Sequence, residues 1–380
     1  MGVDTIEVFR IDIPQADLDD LRDRLARTRW PDQLPDVGWD YGIALDDVRE
    51  LAEYWRTEYD WRVHERQLNS FPQFTTEIDG QRVHFLHVRS GVPGALPLIM
   101  THGWPGSVVE FMEIIGPLTD PGAHGGDPGD GFDLVLPSIP GFGFSGPTRD
   151  RGWNVQRIAR AWDELMGRLG YERYGAQGGD WGSSISRELG VLAPERVIGV
   201  HLNMLTPWVV DEPADLDEQD RLRIERLRVF RRTGSGYAAI QSTRPQSVGY
   251  GLVDSPAALC AWIVEKFQAW SDCDGDPGTV FSRDELLDNV MLYWLTGSGA
   301  SAARLYWESY TRRSSDPVPV PAGVSVFPRE IYRPSRRWAE PLFTDLRYWN
   351  ELGRGGHFAA LEQPSLFIEE VRAAFRSFRQ

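Results

Sequence analysis

A regular alternation of short apolar runs with amphipathic segments after Thr75 constrains the fold of this 380-residue chain more than any other feature. Apolar runs of this length, bounded by turn residues, are typical of buried strands, and several of the segments between them have helical spacing. Strands that alternate with helices predict a mostly parallel sheet flanked by helices. The predicted strands are Gln81–Arg89, Leu96–Met100, Asp133–Pro137, Tyr174–Ala176 and Val197–His201.

The alternation stops at residue 206 and resumes at 318, which predicts a helical lid (206–317) inserted between two parts of one core (76–205 and 318–380). Charged and aromatic helices are expected within the insertion, at Glu212–Arg232, Pro256–Trp270 and Asp284–Tyr310. After it the predicted elements are two strands and a terminal helix, Val324–Phe327, Leu346–Leu352 and Pro364–Phe378.

Residues 1–75 hold no group of residues that suggests chemistry, so we interpret them as an N-terminal wrapping segment. A strand-like stretch covers Ile6–Ile13, and Asp17–Thr28 has helical spacing before Trp30-Pro31 ends it. A second helix is predicted over Ala44–Tyr59.

The formal net charge of −16, without any cluster of basic residues, excludes nucleic acid as a partner. No apolar run is long enough for a membrane span, and no secretory leader precedes the first strand, so we expect a cytoplasmic protein. Two cysteines, Cys260 and Cys273, need no disulfide in a chain of this size. Lys266 is the only lysine among 40 basic residues, a bias typical of GC-rich, actinobacterial coding that predicts a bacterial source.

Asp180 is the first candidate for chemistry, in the run Gly178-Gly179-Asp180-Trp181-Gly182 between a predicted strand and a helix. Small residues at this spacing predict the strained strand–turn–helix of a nucleophile elbow. A carboxylate needs no base to attack a saturated carbon, and the product would be an ester, which suits an epoxide or an alkyl halide. The alternative is an ordinary Asx turn or helix N-cap.

The loop His102–Ser107 follows an apolar strand well ahead of Asp180 and has the pattern His-Gly-x-Pro. The amide of Trp104, paired with that of Trp181, is predicted to form an oxyanion hole. His102 itself is expected to brace the loop through hydrogen bonds. A plain Gly-Pro turn is the alternative interpretation.

Of the seven histidines, only His357 lies beyond the insertion, and we predict that it is the base. Chain order then makes Glu330 the acid that orients the imidazole, with Glu340 and Asp345 as weaker candidates. A loop histidine and a solvated carboxylate are the alternatives. We expect no metal, because His84 and His87 are three residues apart on a strand and point to opposite faces.

Taken together, these motifs resemble the microsomal-type epoxide hydrolase family over essentially the whole chain. The residues that carry the resemblance are Arg24–Pro31, His102–Ser107, Pro140–Ser145, Gly178–Gly182, Asp254–Pro256, Glu265–Phe267, Tyr293-Trp294, Thr296-Gly297 and Arg354–Pro364. The resemblance implies an α/β-hydrolase fold, no cofactor, and Glu330 as the acid. Members of the microsomal type carry an N-terminal hydrophobic anchor, which is not expected here.

The resemblance also implies two lid tyrosines that bind and protonate the epoxide oxygen, at the positions of Tyr237 and Tyr306. A phenol can donate to a far more basic alkoxide without ionising first. Three further tyrosines of the predicted lid compete for this role: Tyr250, Tyr293 and Tyr310.

The resulting hypothesis is an epoxide hydrolase in which Trp104, Tyr237 and Tyr306 contact a small-molecule substrate, a lipophilic epoxide. Haloalkane dehalogenase and a catalytically silent binding protein of the same fold are the alternatives. A wide aromatic pocket for a bulky aryl epoxide, such as a secondary-metabolite intermediate, would be lined by Trp208, Trp262, Trp270, Trp294 and Trp307, unless these only pack the lid. The oligomeric state stays open, with a homodimer as one alternative.

Overall fold

A computed structural model describes residues 5–206, 216–310 and 316–379 and contains one nine-stranded sheet in the order β1-β2-β3-β5-β4-β6-β7-β8-β9. The first three strands and the pairing of β3 with β5 are antiparallel, and all other pairings are parallel. The predicted mostly parallel sheet is therefore confirmed. The strands are β1 (Glu7–Phe9), β2 (Gln73–Ile78), β3 (Gln81–Val88), β4 (Leu96–Thr101), β5 (Phe132–Pro137), β6 (Tyr174–Gly178), β7 (Val197–Leu202), β8 (Ala322–Val326) and β9 (Leu346–Glu351).

Helices cover the sheet and form the lid. In the described residues they are α1 (Gln15–Ala26), α2 (Leu45–Thr57), α3 (Trp61–Leu68), α4 (Met112–Thr119), α5 (Val155–Arg168), α6 (Asp180–Leu192), α7 (Glu218–Thr233), α8 (Gly236–Thr243), α9 (Pro245–Asp254), α10 (Pro256–Trp270), α11 (Arg283–Leu295), α12 (Gly299–Ser309), α13 (Arg336–Ala339), α14 (Ala359–Glu362) and α15 (Pro364–Phe378). Helices α4, α6 and α15 pack on the central strands, whereas α7 to α12 lie between β7 and β8 in the chain.

The central strands β4 and β6 place the site. Every residue of β6 is buried, as expected for a parallel strand covered on both faces. Parallel pairing sets Thr101 beside Gly178, so both strands end at the same edge of the sheet. The loops that follow them, with His102 and Asp180, must therefore meet at the carboxyl edge, where open α/β sheets bind their ligands.

Within the lid, the single helix predicted over Asp284–Tyr310 is wrong. The structure has two helices there, α11 and α12, separated at Thr296–Ser298. Gly297 takes a φ of 60°, a left-handed conformation that breaks the helix and that glycine adopts without steric cost. The beginning of the predicted helix Glu212–Arg232 lies outside the described residues, and α7 starts at Glu218 behind the N-cap Asp217.

The N-terminal segment joins the sheet as well as wrapping it. Its predicted strand is shorter than expected, at Glu7–Phe9, and the predicted boundary at residue 75 falls inside β2. Helix α3, which the sequence analysis missed, starts behind the N-cap Asp60. Helices α1 and α2 both contact α10, so this segment also supports the lid.

The described residues include no single helix with the length and apolar composition that crossing a membrane requires. Helices α9 and α10 reach that standard only as a pair, and the pair is bent by 114°.

Candidate active site

Asp180 occupies the predicted sharp turn between β6 and α6, with a φ of 47°. This left-handed conformation is strained for any residue with a Cβ atom. Two close approaches make the turn possible: a Cβ on Gly182 would lie 1.8 Å from the Thr101 oxygen, and one on Gly103 would lie 2.3 Å from Asp180 Oδ1. The glycines therefore allow the strand, the helix and the His102 loop to meet at one carboxylate.

Two backbone amides contact that carboxylate. Trp104 N donates to Asp180 Oδ1 at 2.7 Å, and the amide of Trp181 also hydrogen-bonds to the side chain of Asp180. The predicted oxyanion amides are thus brought together at the elbow. His102 braces their loop, since its Nε2 accepts from Ile139 N at 3.2 Å and its Nδ1 lies 3.0 Å from the Gly103 oxygen. Burial lowers the pKa of His102 to about 4, which keeps the ring neutral.

His357 and Glu330 complete a set that we call the site triad (Asp180, Glu330 and His357). His357 Nδ1 lies 2.8 Å from Glu330 Oε1, and Nε2 lies 3.8 Å from Asp180 Oδ2. The backbone amide of Ile331 also donates to Glu330 Oε1, at 2.6 Å, and fixes that carboxylate. The amide of His357 donates to the Trp270 oxygen at 2.9 Å, which ties the loop to the end of α10.

The two weaker acid candidates lie elsewhere and have surface partners. Glu340 pairs with Arg336 at 3.1 Å, and Asp345 pairs with Arg347 at 2.8 Å. The structure therefore places only Glu330, of the three acids considered, next to the imidazole.

Burial and charge compete at the site triad. Burial lowers the pKa of His357, but the carboxylates of Glu330 and Asp180 outweigh it and raise that pKa to about 9. Burial raises the pKa of Asp180, and the nearby His357 and the two amides only partly offset this effect. The imidazolium and the carboxylate therefore stabilise each other in the resting site.

Tyr237 on α8 and Tyr306 on α12 lie over the elbow, 8% and 3% exposed. The Tyr237 ring stacks on Trp104 with centroids 4.9 Å apart, and the Tyr306 ring meets Trp181 edge-on at 4.8 Å. The two hydroxyls interact with each other. Burial raises the pKa of both phenols well above the usual value, so both hydroxyls keep their protons.

The competing tyrosines have other surroundings. Tyr293 donates its hydroxyl to the Gly106 oxygen at 2.7 Å, and Tyr250 is 72% exposed. Tyr310 lies behind Tyr306, with ring centroids 6.4 Å apart.

The predicted tryptophan pocket is only partly right. Trp270 does lie in the site, with ring centroids 5.2 Å from Tyr237 and 4.9 Å from His357. Helical spacing could not show which face of each lid helix meets the core. Of the other four, Trp262 donates to Gln241, Trp294 lies under Arg24 and Trp307 is 54% exposed, whereas Trp208 falls outside the described residues.

Glu110 is a site residue that the sequence analysis missed. It lines a cavity of about 20 Å³ together with Asp180, Asn203 and His357, large enough for about one water molecule. Burial raises the pKa of Glu110 to about 8, although His357 opposes the shift. Its only sequence signal is the spacing Ser107-x-x-Glu110, which predicts a helix capping box rather than a site.

The described residues contain no group of three or more His, Cys, Asp or Glu side chains that is arranged to hold a metal ion. His84 contacts Ser138 and Gln73, and His87 contacts Tyr171. Both cysteines are buried free thiols.

Comparison with known proteins identifies the family. Residues 6–111 match the family model described as epoxide hydrolase N terminus, and residues 97–233 match the model of the alpha/beta hydrolase fold. Epoxide hydrolase 1 of the pig, Sus scrofa, is 36% identical over 97% of this chain and 88% of its own length. The chain belongs to the epoxide hydrolase family. The predicted fold and the resemblance on which it rested are confirmed.

Two further epoxide hydrolases support the assignment. A protein of the bacterium Stigmatella aurantiaca, named provisionally as an epoxide hydrolase, is 51% identical over 98% of this chain and 86% of its own length. The crystal structure of juvenile hormone epoxide hydrolase from the silkworm Bombyx mori superposes with a TM-score of 0.91 at 32% identity, covering 99% of this chain and 95% of that one.

Proposed function

We propose that this epoxide hydrolase converts a lipophilic epoxide to a vicinal diol through an ester on Asp180. The observation that carries the proposal is the pair of buried phenols, Tyr237 and Tyr306, over a carboxylate held at a strained turn. A nucleophile on one side and two proton donors on the other match the two ends of the carbon–oxygen bond that must break.

In the first step, an oxygen of Asp180 attacks one epoxide carbon and forms a carbon–oxygen bond as the ring bond breaks. The electron pair of the breaking bond goes to the epoxide oxygen, which takes a proton from a tyrosine hydroxyl. Because Tyr237 and Tyr306 keep their protons until that oxygen becomes basic, they donate only as charge develops.

In the second step, His357 takes a proton from water, and the hydroxide attacks the ester carbonyl. Ester formation removes the charge of Asp180, which is one cause of the raised pKa of His357. The pKa of His357 therefore falls once the ester exists, so the imidazolium returns its proton to the tyrosine that the first step deprotonated, and the neutral ring becomes available as a base. The amides of Trp104 and Trp181 stabilise the oxyanion, and Glu330 supports the imidazolium.

The cavity beside Glu110 supports a place for that water. It opens on both Asp180 and His357, so a water molecule there would lie between the ester carbonyl and the base. A Glu110 carboxyl with a pKa of about 8 keeps its proton near neutral pH and can both donate to and accept from water. Water attack from this cavity is part of the proposal.

The two alternative functions need different features at the site. A dehalogenase would release halide and needs no paired phenols, whereas a silent binding protein needs no base beside the carboxylate. The assembled site triad and the two phenols favour hydrolysis of an epoxide over both.

A single turnover of racemic styrene oxide in H2¹⁸O tests the proposed route. With enzyme in excess, we expect the first diol to contain no heavy oxygen, because its new hydroxyl comes from Asp180. The heavy oxygen should instead be found in the Asp180 carboxylate. Heavy oxygen in the first diol would show direct attack by water, and release of halide from haloalkanes without any diol from epoxides would favour the dehalogenase.

We also propose an aryl epoxide as substrate, because the rings of Trp104, Trp181 and Trp270 surround the phenols. Comparing kcat/KM for aryl and alkyl epoxides of equal size tests this choice.

A cytoplasmic location is proposed because both cysteines are free thiols, and cell fractionation would test it. A homodimer is a further prediction, and analytical ultracentrifugation would test it by measuring the mass of the protein in solution.

A further inference from the structure

Lys266 is an exception to the composition of the chain. It is the only lysine among 40 basic residues, and it is also buried, at 7% exposure, in the interior of α10. Buried cations are costly and are rarely retained without a partner. Its ion-pair partner is the adjacent Glu265. A coding bias toward arginine does not explain a single lysine at this position.

The ammonium of Lys266 lies over an aromatic wall of the site. Its Nζ atom is 4.8 Å from the centre of the Tyr237 ring and 5.8 Å from that of Trp270. A compact ammonium on a flexible stem can approach a ring face that has little room, whereas guanidinium is a larger planar group. The position therefore favours lysine over the arginine used elsewhere in the chain.

We propose that Lys266 is a positioning residue for ring opening, which holds Tyr237 and stabilises the negative charge that develops on that phenol. This inference rests on the proposed role of Tyr237 as a proton donor. A cation is attracted to the electron-rich face of an aromatic ring, and the face becomes more electron-rich as the phenol gives up its proton. The contact is therefore stronger in the transition state than in the ground state.

Ring opening with Tyr237 as the proton donor makes one bond to carbon, breaks another and moves one proton. The bond from Asp180 to carbon forms, the ring carbon–oxygen bond breaks, and the proton of Tyr237 passes to the epoxide oxygen. The phenolate that remains beside Lys266 regains a proton from the resting imidazolium of His357, which leaves that ring neutral and able to take a proton from water in the next step. Lys266 itself exchanges no proton.

A double-mutant cycle with Lys266→Met and Tyr237→Phe tests the proposal. Rapid-quench mass spectrometry measures the rate constant of ester formation separately from that of ester hydrolysis. We expect Lys266→Met to slow ester formation about tenfold, the range of a desolvated cation–π contact. Ester hydrolysis should change by less than about twofold, because that step does not use the phenol. In the Tyr237→Phe background, Lys266→Met should have almost no further effect.

The possible results distinguish the proposed role of Tyr237 from the proposed role of Lys266. If Tyr237→Phe does not slow ester formation, the role of Tyr237 fails and the role of Lys266 fails with it. If Tyr237→Phe slows the step but Lys266→Met has the same effect in both backgrounds, Lys266 only packs against the ring and our inference is wrong. Arg82→Met, which removes an exposed cation 5.6 Å from the Phe9 ring, is the matched control, and Lys266→Gln replaces the methionine variant if that variant does not fold.

Discussion

Two histidines of this molecule lie between pairs of carboxylates at nearly equal distances, but in different surroundings. In the site triad, the distances from the ring nitrogens to the two carboxylates are 2.8 and 3.8 Å. His64 of the N-terminal segment has Asp288 at 2.8 Å and Asp284 at 3.7 Å, both on the lid helix α11. We call this second group the His64 cluster (Tyr59, His64, Asp284 and Asp288).

The difference lies in what surrounds each carboxylate. Asp180 is held at a strained turn, accepts two backbone amides and faces a cavity. Asp288 lies within a regular helix and accepts the hydroxyl of Tyr59 at 2.5 Å, while the ring of Tyr59 stacks on His64. Distances between histidine and carboxylates therefore do not define a reactive site. The strained turn, the two amides and the adjoining cavity are what distinguish the site triad from the His64 cluster.

The largest expected effect comes from removing one charge in each group. Asp180→Asn should lower kcat/KM for styrene oxide about 10⁴-fold, because an amide is a poor nucleophile. Asp288→Asn should lower the melting temperature and leave kcat/KM within about threefold, since the His64 cluster only joins two segments. Equal losses of activity in both variants would remove the distinction.

One phenol lies beside the site triad and another belongs to the His64 cluster, and these two phenols give the next comparison. Tyr306→Phe should slow ester formation about 10²-fold, because the epoxide oxygen loses a proton donor. Tyr59→Phe should leave that rate unchanged and cost about 1 kcal/mol in the free energy of unfolding for the lost hydrogen bond. Rapid-quench kinetics and urea unfolding measure the two effects. A rate for Tyr306→Phe equal to that of the wild type would contradict the assignment.

A smaller effect on the rate is expected from changing Glu110, which lines the cavity beside the site triad. Glu110→Ala should slow ester hydrolysis about tenfold by removing a partner of the water, with ester formation unchanged. Glu110→Gln keeps a donor and an acceptor and should restore most of the rate. If the alanine variant hydrolyses the ester at the normal rate, Glu110 does not position water.

The smallest effect concerns the stability that the His64 cluster contributes. Burial lowers the pKa of His64, but Asp288 and Asp284 outweigh it, so the pKa is raised in the folded protein. Its contribution is fully present below the unfolded pKa of about 6.5 and is lost as the pH rises through the folded value. We expect less than about 1 kcal/mol, seen as a pH-dependent difference in unfolding free energy between wild type and His64→Gln. A difference that grows with pH has the wrong sign.

The parts of the site that the sequence predicts are those set by local constraints and by chain order. Asp180 is recognisable because its glycines permit a close approach that no larger residue allows. His357 and Glu330 follow from their places after the last two strands, since parallel strands end at one edge of the sheet. The sequence alone therefore predicts all three of these residues.

Contacts between distant residues could not be predicted in this way. Tyr59 and Asp288 are separated by 229 positions, and no local pattern links them. The spacing of Glu110 from Ser107 indicates a helix cap and so does not point to a site. The break between α11 and α12 depends on Gly297, and glycine is a residue type that also occurs inside continuous helices. Which tryptophans face the site depends on how the lid helices pack, and the hydrophobic periodicity of the sequence does not show that packing.

The ester on Asp180 is the central claim, and the variant His357→Gln tests it most directly. This variant should still be alkylated by styrene oxide but should not hydrolyse the product, because the base is missing. Mass spectrometry of the intact protein and of its peptides should find one added epoxide mass, on the peptide that contains Asp180. An unmodified Asp180 peptide in a variant that has lost turnover would contradict the account.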